Sequence, residues 1–356
     1  MTVDVVGGVW TYALALADSL RLHGVTVQLA TMGPRPSARQ RTDAARCGVA
    51  AVHESDFRLE WMQDSRDDVA ASGDWLLELA GRTGCDVVHL NGYAHGALQW
   101  PVPSLIAAHS CVLSWWRAVR DARAPAEWDH YRQAARAGLD AAAVVVLPTC
   151  ALLAQMSAEH GLIARARVIH NGLNGAPVPF GEKEQLVLAC GRFRDEGKNL
   201  AILERLAPHL SWPLLVAGPA APGGSGMRLL GRLDREEVLM WQRRAAIVVH
   251  PAKYEPFGLV PLEAAAARCA LVLADIPSLR ELWNGAALFV APDDAGGIAA
   301  AVNQLIARPA LRAEMSARAF RRARAFSAGA MAAGYANVYR ELLDRAERPL
   351  ELACAS

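Results

Sequence analysis

Short runs of apolar, often β-branched residues alternate with longer amphipathic segments along almost the whole chain. This pattern is typical of parallel sheets covered by helices. Because each half of the chain has its own set of strands, the sequence predicts an α/β protein with two open sheets. The predicted strands lie at residues 2–6, 25–30, 86–90, 104–109, 143–147, 166–170, 185–190, 213–218, 227–231, 246–250, 270–274 and 286–290.

The region between the two halves, residues 171–184, concentrates Gly, Pro and Asn without an apolar period and is predicted to be a linker. A chain of 356 residues also fits two domains better than one core. The C-terminal third has helical spacing broken at Pro309 and near Ser327, which suits a helix N-cap. We therefore predict domains over residues 1–175 and 176–326, followed by a helical segment over residues 327–356.

The charge balance excludes some function classes. With 37 basic and 36 acidic residues, the chain has no overall field that would favour nucleic acid.

Its seven cysteines form no C-x-x-C pair, which favours reduced thiols over disulfides or a zinc site. No signal peptide is visible, and the longest uncharged apolar run, residues 141–154, is shorter than the ~20 residues that span a bilayer. We expect a cytoplasmic protein, and peripheral contact with the inner face of the membrane stays open.

The stretch "YEPFGLVPLE", residues 254–263, follows the predicted strand 246–250 and starts a helix. Ligands bind α/β sheets where a strand ends and a helix begins, and the main-chain amides of residues 258–260 would suit a phosphate. The carboxylates of Glu255 and Glu263 better suit sugar hydroxyls, because ionised carboxylates only accept hydrogen bonds. For each glutamate alone, a structural role is the alternative: Glu263 could complement the helix dipole, and Glu255 could be a solvated loop residue.

A second stretch, "LACGRFRDEGKNL" at residues 188–200, places two cations after a predicted strand. Gly191 permits a close approach of the backbone to a ligand. Arg192 and Lys198 could converge from two sides of the loop and neutralise a diphosphate leaving group. Taken alone, each cation would more often be an ordinary surface residue.

Three further features have both a functional and a structural interpretation. Gly7 and Gly8, between a strand and a helix, either let the main chain approach a ligand or make a tight turn. His109 ends a predicted strand and could contact a substrate or be structural. The Trp- and Arg-rich block at residues 115–123 could bind an acceptor or touch a membrane, but an ordinary amphipathic helix is the better account of its arginines. The sequence has no G-x-G-x-x-G fingerprint, which disfavours a nicotinamide or flavin, and no metal-ligand spacing.

Together these motifs resemble a known family. Spaced as E-x7-E, "YEPFGLVPLE" resembles the signature of the retaining family 4 glycosyltransferases of GT-B fold, and the resemblance covers nearly the whole chain. It implies two Rossmann-like domains whose parallel sheets face each other across a cleft, with a C-terminal helix that crosses back to the first domain. The supporting stretches, in the family's order, are "GGVWTYALALA", "AAHS", "VIHNGLN", "GRFRDEGKN", "GPAAPGGSGMRLLGRLDREEV" and "PSLRELWNGAALFVAPDD".

The resemblance also implies roles for individual residues. Glu255 would contact hydroxyls of the donor sugar, and Glu263 would contact the ribose hydroxyls of the nucleotide. Arg192 and Lys198 would hold the diphosphate, and His109 matches the histidine beside the transferred sugar. The remaining implied donor contacts are backbone or loop positions: Gly8, Gly191, Arg232, Leu233, Phe257, Gly258, Leu259 and Val260.

The implied activity is transfer of a hexosyl group from a nucleotide-diphosphate sugar to a hydroxyl acceptor, with retention of configuration through front-side attack. No metal or other cofactor is implied, because Arg192 and Lys198 would supply the positive charge. The alternatives are a nucleotide-sugar epimerase or disaccharide synthase of the same fold, or a non-catalytic sugar-nucleotide-binding remnant. The nucleotide base, the sugar, the acceptor and the oligomeric state stay open.

Two positions depart from the family pattern. Only residues 2–6 form the first predicted strand before the Gly7–Gly8 turn, whereas family members usually have a longer central strand there. This predicts either a short central strand or a late start of the sequence. His170 stands where the family commonly has proline.

Overall fold

The computed structural model describes residues 1–174, 181–219 and 226–347. Residues 175–180 of the predicted linker and the last residues of the C-terminal segment therefore lie outside the described residues. The chain divides into two compact units. The first contains Met1–Ser114, Arg123–Asn174 and the described residues from Ala328 onward. The second contains Trp115–Ala122 and the described residues from 181 to Ser327, so Trp115–Ala122 groups with the second unit.

The first unit contains parallel strands in the orders β1-β2-β3 and β4-β5-β6-β7. The strands are β1 (Thr2–Asp4), β2 (Gln28–Met32), β3 (Ala51–Glu54), β4 (Val88–Leu90), β5 (Ser104–Ala107), β6 (Val144–Leu147) and β7 (Ala166–Val168). The helices are α1 (Gly8–Leu20), α2 (Ala38–Arg46), α3 (Arg66–Thr83), α4 (Val112–Arg120, which continues into the second unit), α5 (Asp129–Ala141), α6 (Cys150–His160) and α13 (Ala328–Glu347). Short 3-10 helices occupy Arg21–His23, Ala94–Ala97 and Ala126–Trp128.

Helices α1 and α13 bury their apolar faces together in the core of the first unit. Leu16, Leu20 and Tyr335 are almost fully buried there, packed with residues of the sheets. Burial of such side chains contributes about 1.5 to 3 kcal/mol each, which explains why the alanine- and leucine-rich segments form stable helices at these positions.

The first strand is short, and it stands at the end of the strand order β1-β2-β3, not in the middle of it. β1 includes only Thr2–Asp4 of the predicted residues 2–6, because the Asp4 side chain accepts a hydrogen bond from the Val6 amide at 2.8 Å and turns the chain. β1 pairs with β2, and Asn91, directly after β4, contacts Thr2. The main-chain amide of Asn91 donates to Thr2 Oγ1 at 2.8 Å, so the Thr2 side chain accepts one of the hydrogen bonds that join the residue after β4 to β1.

The second unit has a parallel sheet with the strand order β10-β9-β8-β11-β12-β13. Its strands are β8 (Glu184–Cys190), β9 (Leu214–Ala217), β10 (Met227–Gly231), β11 (Ala245–His250), β12 (Ala270–Ala274) and β13 (Leu288–Val290). Its helices are α7 (Leu200–Leu206), α8 (Arg235–Arg244), α9 (Leu259–Ala266), α10 (Pro277–Trp283), α11 (Ala295–Ala307) and α12 (Pro309–Ala323), with 3-10 helices at Glu196–Lys198 and Ala207–His209. This is a doubly wound sheet whose strand order reverses between β8 and β11.

The predicted α/β class is confirmed, and each predicted strand is present with bounds shifted by a few residues. The sequence prediction was wrong in omitting β3. Its residues are all only half-buried, and "AVHE" contains no apolar run that would identify a strand. Among the described helices, none combines the length and the hydrophobicity that a membrane-spanning segment requires.

Candidate active site

The loops after β8 and β11 begin side by side at the point where the strand order of the second unit reverses. β8 ends at Cys190 and β11 at His250, and the two strands are hydrogen-bonded neighbours. In doubly wound sheets, ligands bind at the carboxyl ends of the strands at this reversal. The first loop carries Lys198 and the second carries Glu255, so the topology brings these two distant residues together.

Glu255 lies at the centre of this cluster. Its Oε2 accepts hydrogen bonds from Lys198 Nζ at 2.8 Å and from His250 Nε2 at 3.0 Å. The exposed fractions of the side chains are 13% for Glu255, 17% for Lys198 and 4% for His250. Burial alone would raise the pKa of Glu255, but Lys198 and His250 together hold it well below its usual range. The carboxylate is therefore ionised, and its Oε1 has no hydrogen-bond partner among the described residues.

Asn199 ties the two loops together. It adopts the left-handed conformation with φ of 61°, which asparagine tolerates better than most residues. Its Nδ2 donates to the carbonyl oxygens of Pro251 at 2.9 Å and Pro292 at 2.7 Å. A further bond joins the Lys253 amide to the Gly197 carbonyl at 2.9 Å. These contacts fix the position of Lys198, which precedes Asn199.

Trp115 supports the same turn from α4. Its Nε1 donates to Asp195 Oδ1 at 2.9 Å, and that oxygen also accepts from the Gly197 amide at 2.8 Å. A Cβ atom at Gly197 would lie 2.9 Å from Trp115 Nε1, so only glycine fits without a shift. The Trp- and Arg-rich block therefore has a specific contact with the turn that carries Lys198, which the sequence did not predict.

Helix α9 begins directly after this cluster. Gly258 has φ of 91° and precedes the first helical residue, Leu259, which with Val260 is half-buried. Pro261 lies in the first turn, where a missing N–H costs no internal bond. The side chain of Phe257 is buried and packs edge-on against Phe326 at 5.8 Å. At Phe257 the backbone is therefore the group that could contact a ligand.

Glu263 forms a different ion pair from Glu255. Its Oε1 accepts from Arg235 Nη2 at 2.9 Å, and its side chain is 9% exposed while that of Arg235 is 51% exposed. Burial raises the pKa of Glu263, and Arg235 offsets this effect only in part. Arg235 lies in the stretch "GPAAPGGSGMRLLGRLDREEV", which resembles the family, but no role was predicted for this residue.

Arg192 and Arg232 are both exposed, and the predicted convergence of Arg192 with Lys198 stays a prediction. The Arg192 main-chain carbonyl accepts from the Asp195 amide at 2.9 Å, but within the described part of the chain the Arg192 side chain makes no hydrogen bond or ion pair. A Cβ atom at Gly191 would make ordinary contacts, the nearest at 3.4 Å to Phe193. A larger residue than glycine would therefore fit at position 191 without a clash with the rest of the protein. Half-buried Leu233 follows Arg232 in the loop between β10 and α8.

In the first unit, the structure places His109 and Gly8 near the carboxyl ends of strands. His109 Nε2 lies 2.7 Å from Asn91 Oδ1, and the Tyr12 ring packs edge-on against its imidazole at 4.4 Å. Burial lowers the pKa of His109 to about 4, so the ring is neutral at pH 7. Gly8 is exposed at the start of α1, after Gly7 with φ of 93°.

Sequence reasoning missed several residues that hold these groups. His250 is the last residue of the predicted strand 246–250 and was given no role, although its imidazole binds Glu255. Ser278 Oγ donates to the Glu255 carbonyl oxygen, and nothing in the sequence pattern marks this serine. Asn199 belongs to the quoted "GRFRDEGKN" stretch, so its place in that motif was the available signal.

Two family models match this chain. The model described as Glycosyltransferase Family 4 matches residues 6–175, and the model described as Glycosyl transferases group 1 matches residues 175–322. Together they cover most of the chain. The chain therefore belongs to the family 4 glycosyltransferases.

Individual proteins agree with this assignment. Glycogen synthase of Mycobacterium tuberculosis is 36% identical over 182 residues, which cover 45% of this chain and 44% of that protein, so less than half of that relative is matched. Sucrose-phosphate synthase from Thermosynechococcus elongatus has a TM-score of 0.78 at 20% identity and covers 94% of this chain and 93% of its own. The HepE protein of Anabaena, crystallised with UDP and glucose, has a TM-score of 0.73 at 15% identity over 96% and 100% of the two chains. These structural neighbours show the GT-B fold.

Proposed function

We propose that this protein is a retaining hexosyltransferase that uses a nucleotide-diphosphate sugar and a hydroxyl acceptor and requires no metal ion. The observation that carries the proposal is the Lys198–Glu255–His250 cluster, at the strand-order reversal and directly before the start of α9. This arrangement combines a fixed acceptor for sugar hydroxyls with positive groups for phosphate.

Glu255 would bind the donor sugar through Oε1. Because Lys198 and His250 both bind Oε2, the carboxylate is held in one orientation, and the other oxygen can accept from a sugar hydroxyl. A carboxylate that stays ionised at neutral pH keeps this acceptor capacity throughout the reaction. We infer that Glu255 positions the sugar and does not act as a nucleophile.

The diphosphate would be stabilised by cations and main-chain amides. Lys198 uses one N–H for Glu255 and has others for phosphate oxygens. The amides from Phe257 to Val260, at the start of α9, would add donors and the positive end of the helix dipole. The exposed side chain of Arg192, which has no hydrogen-bond or ion-pair partner among the described residues, would join them. These charges would take the place of a divalent cation.

In the proposed step, the bond between the anomeric carbon and the β-phosphate oxygen breaks as the acceptor oxygen bonds to the same face of that carbon. The bonding electron pair leaves with the phosphate, where Lys198, Arg192 and the amides stabilise the charge. The acceptor's proton passes to the leaving phosphate oxygen. Glu263 would accept from the ribose hydroxyls, with Arg235 holding its carboxylate in place.

The family assignment supports sugar transfer, and the UDP and glucose bound by HepE make UDP-sugars the first donors to test. A panel of nucleotide sugars is screened by thermal shift, because a ligand that binds the native state raises the melting temperature. The donor that binds is then incubated with hydroxyl acceptors, and the anomeric configuration of the product is read by proton NMR. EDTA is included in parallel reactions.

The expected result is a product with the donor's anomeric configuration and a rate unchanged by EDTA. Inverted product would contradict retention, and a rate abolished by EDTA and restored by a divalent cation would contradict metal independence. Failure of every nucleotide sugar to bind would refute the proposed function as a whole.

A further inference from the structure

Asn91 and His109 follow neighbouring parallel strands of the first unit. β4 ends at Leu90 and β5 at Ala107, and Leu90 is in register with Ile106. Both side chains therefore emerge at the same edge of the sheet. His109 Nε2 and Asn91 Oδ1 lie 2.7 Å apart, which is a hydrogen-bond distance.

A second contact fixes the orientation of the Asn91 amide. Its Nδ2 lies 2.5 Å from the main-chain carbonyl oxygen of Thr2, and the Asn91 main-chain amide donates to Thr2 Oγ1 at 2.8 Å. A carbonyl oxygen only accepts, so the amide nitrogen has to face Thr2. The flipped orientation would place two acceptor oxygens against each other. Oδ1 of Asn91 therefore faces His109.

This orientation determines where the hydrogen of the imidazole lies. Because Asn91 Oδ1 only accepts, His109 Nε2 has to carry the hydrogen, and a neutral imidazole then has an unprotonated Nδ1. Nδ1 has no hydrogen-bond partner among the residues that the structure describes. The lowered pKa of His109 agrees with a neutral ring at pH 7, and the Tyr12 ring restricts its rotation.

We propose that Asn91 is a positioning residue that holds His109 in the Nε2–H tautomer, so that Nδ1 accepts a hydrogen bond from a substrate hydroxyl. The identity of that hydroxyl, a group of the transferred sugar, rests on the proposed function. The tautomer is a property of the chain itself. Without Asn91 the hydrogen can move to Nδ1, and the acceptor at that atom is lost.

The tautomer is read directly by NMR. The full chain is labelled with ¹⁵N-histidine, and two-bond ¹H–¹⁵N correlation spectra are recorded at pH 7 without substrate. The His109 signals are identified by their loss in His109→Gln. We expect the Nε2–H pattern in the wild type and a mixture of tautomers in Asn91→Ala. The matched control is Asn303→Ala, because Asn303 also bridges two main-chain groups, but in the second unit.

The wild-type spectrum alone can overturn the proposal, whether or not Asn91→Ala folds well. An Nδ1–H pattern, or a doubly protonated ring at pH 7, would refute it. A His109 pattern in Asn91→Ala identical to that of the wild type would refute the role of Asn91.

Kinetics separate this inference from the proposed function. Asn91→Ala should lower kcat by about tenfold, the value of one hydrogen bond, with a smaller change in KM for the donor. If no nucleotide sugar binds or reacts, the proposed function fails while the tautomer result stands. If transfer occurs and Asn91→Ala has the wild-type kcat and the wild-type spectrum, only this inference fails.

Discussion

Replacing Lys198 with methionine removes the ammonium group that pairs with Glu255 and keeps a side chain of similar length. In the wild type, Lys198 Nζ lies 2.8 Å from Glu255 Oε2, and the two side chains are only 17% and 13% exposed. The variant leaves Glu255 with His250 as its hydrogen-bond partner. The carboxylate stays buried, so the cost of removing it from water is no longer offset by a fixed positive charge.

The expected loss of stability follows from these contacts. Two opposite unit charges about 4 Å apart attract by about 4 kcal/mol at an effective dielectric constant of about 20. Removing one partner of a buried pair costs about 3 to 5 kcal/mol. Because His250 still binds the carboxylate and some water reaches it, we expect Lys198→Met to lower the free energy of unfolding by about 3 kcal/mol.

The loss should also depend on pH. In the wild type the pKa of Glu255 is well below its unfolded value of about 4.3, so its stabilising contribution is complete above that pH and is lost as pH falls towards the native value. In Lys198→Met, burial raises the pKa of Glu255, and lowering the pH relieves the penalty by protonating the carboxyl group. The difference between wild type and variant should therefore be largest at pH 7 and smaller at pH 4.

Urea denaturation at pH 7 and pH 4 measures both effects. Arg244→Met is the matched control, since Arg244 and Glu184 also form a close ion pair but are 41% and 47% exposed, and solvent screens such a pair so that it adds little to stability. Adding Glu255→Gln to Lys198→Met should recover part of the stability, because the unpaired charge is removed. A loss no larger than that of Arg244→Met, or a double variant less stable than Lys198→Met, would refute the reasoning.

Three further predictions concern Glu255, Asn199 and His109. Glu255→Gln should lower kcat for sugar transfer by at least about 100-fold while the circular dichroism spectrum is unchanged, and a near-normal rate would remove Glu255 from the site. Asn199→Ala should lower the free energy of unfolding by about 1 to 3 kcal/mol, because two carbonyl groups lose their donor. Asn199→Gly should also be destabilised, because glycine tolerates the left-handed conformation but lacks the side-chain amide. Wild-type stability in both variants would contradict this prediction. The wild type should lose up to about 3 kcal/mol more stability than His109→Gln as pH falls from 6.5 to 4, since the native pKa of His109 is about 4 and the unfolded pKa is about 6.5. The control is His23→Gln, which replaces an exposed histidine. If the free energies of unfolding of the wild type and His109→Gln depend equally on pH, the burial of His109 is contradicted.

The parts of the fold that could be predicted from the sequence are those with a strong apolar period. β11 and β12 are almost fully buried runs, and their predicted and observed bounds agree to within a residue. β3 was missed because an edge strand with half-buried residues has no such run. The early end of β1 depends on a hydrogen bond from the Val6 amide to the Asp4 side chain, which hydrophobic pattern does not report.

For the candidate site, the sequence identified the residues that carry charge and missed most of those that hold them. Lys198 and Glu255 stand in stretches with recognisable spacing, so they could be singled out. The contacts of Asn199, Trp115 and Asn91 join segments far apart in the sequence and depend on backbone positions. A single sequence does not specify such contacts. For Asn199, the pairing of β8 with β11 brings the two loops together.

The ionisation of the site residues bears on how the proton of the acceptor hydroxyl could leave. Glu255 is held ionised with a pKa well below its usual range, so it is a very weak base near neutral pH. His109 has a pKa of about 4 and, in the proposed tautomer, would offer Nδ1 as a hydrogen-bond acceptor; such a weak base would not retain a proton at pH 7. Glu263, whose pKa is raised, is bound to Arg235 in a separate ion pair. Since these three groups are poorly suited as a general base, the leaving phosphate oxygen is the proton acceptor that best fits the proposed front-side attack, and Glu255 then acts by positioning the sugar.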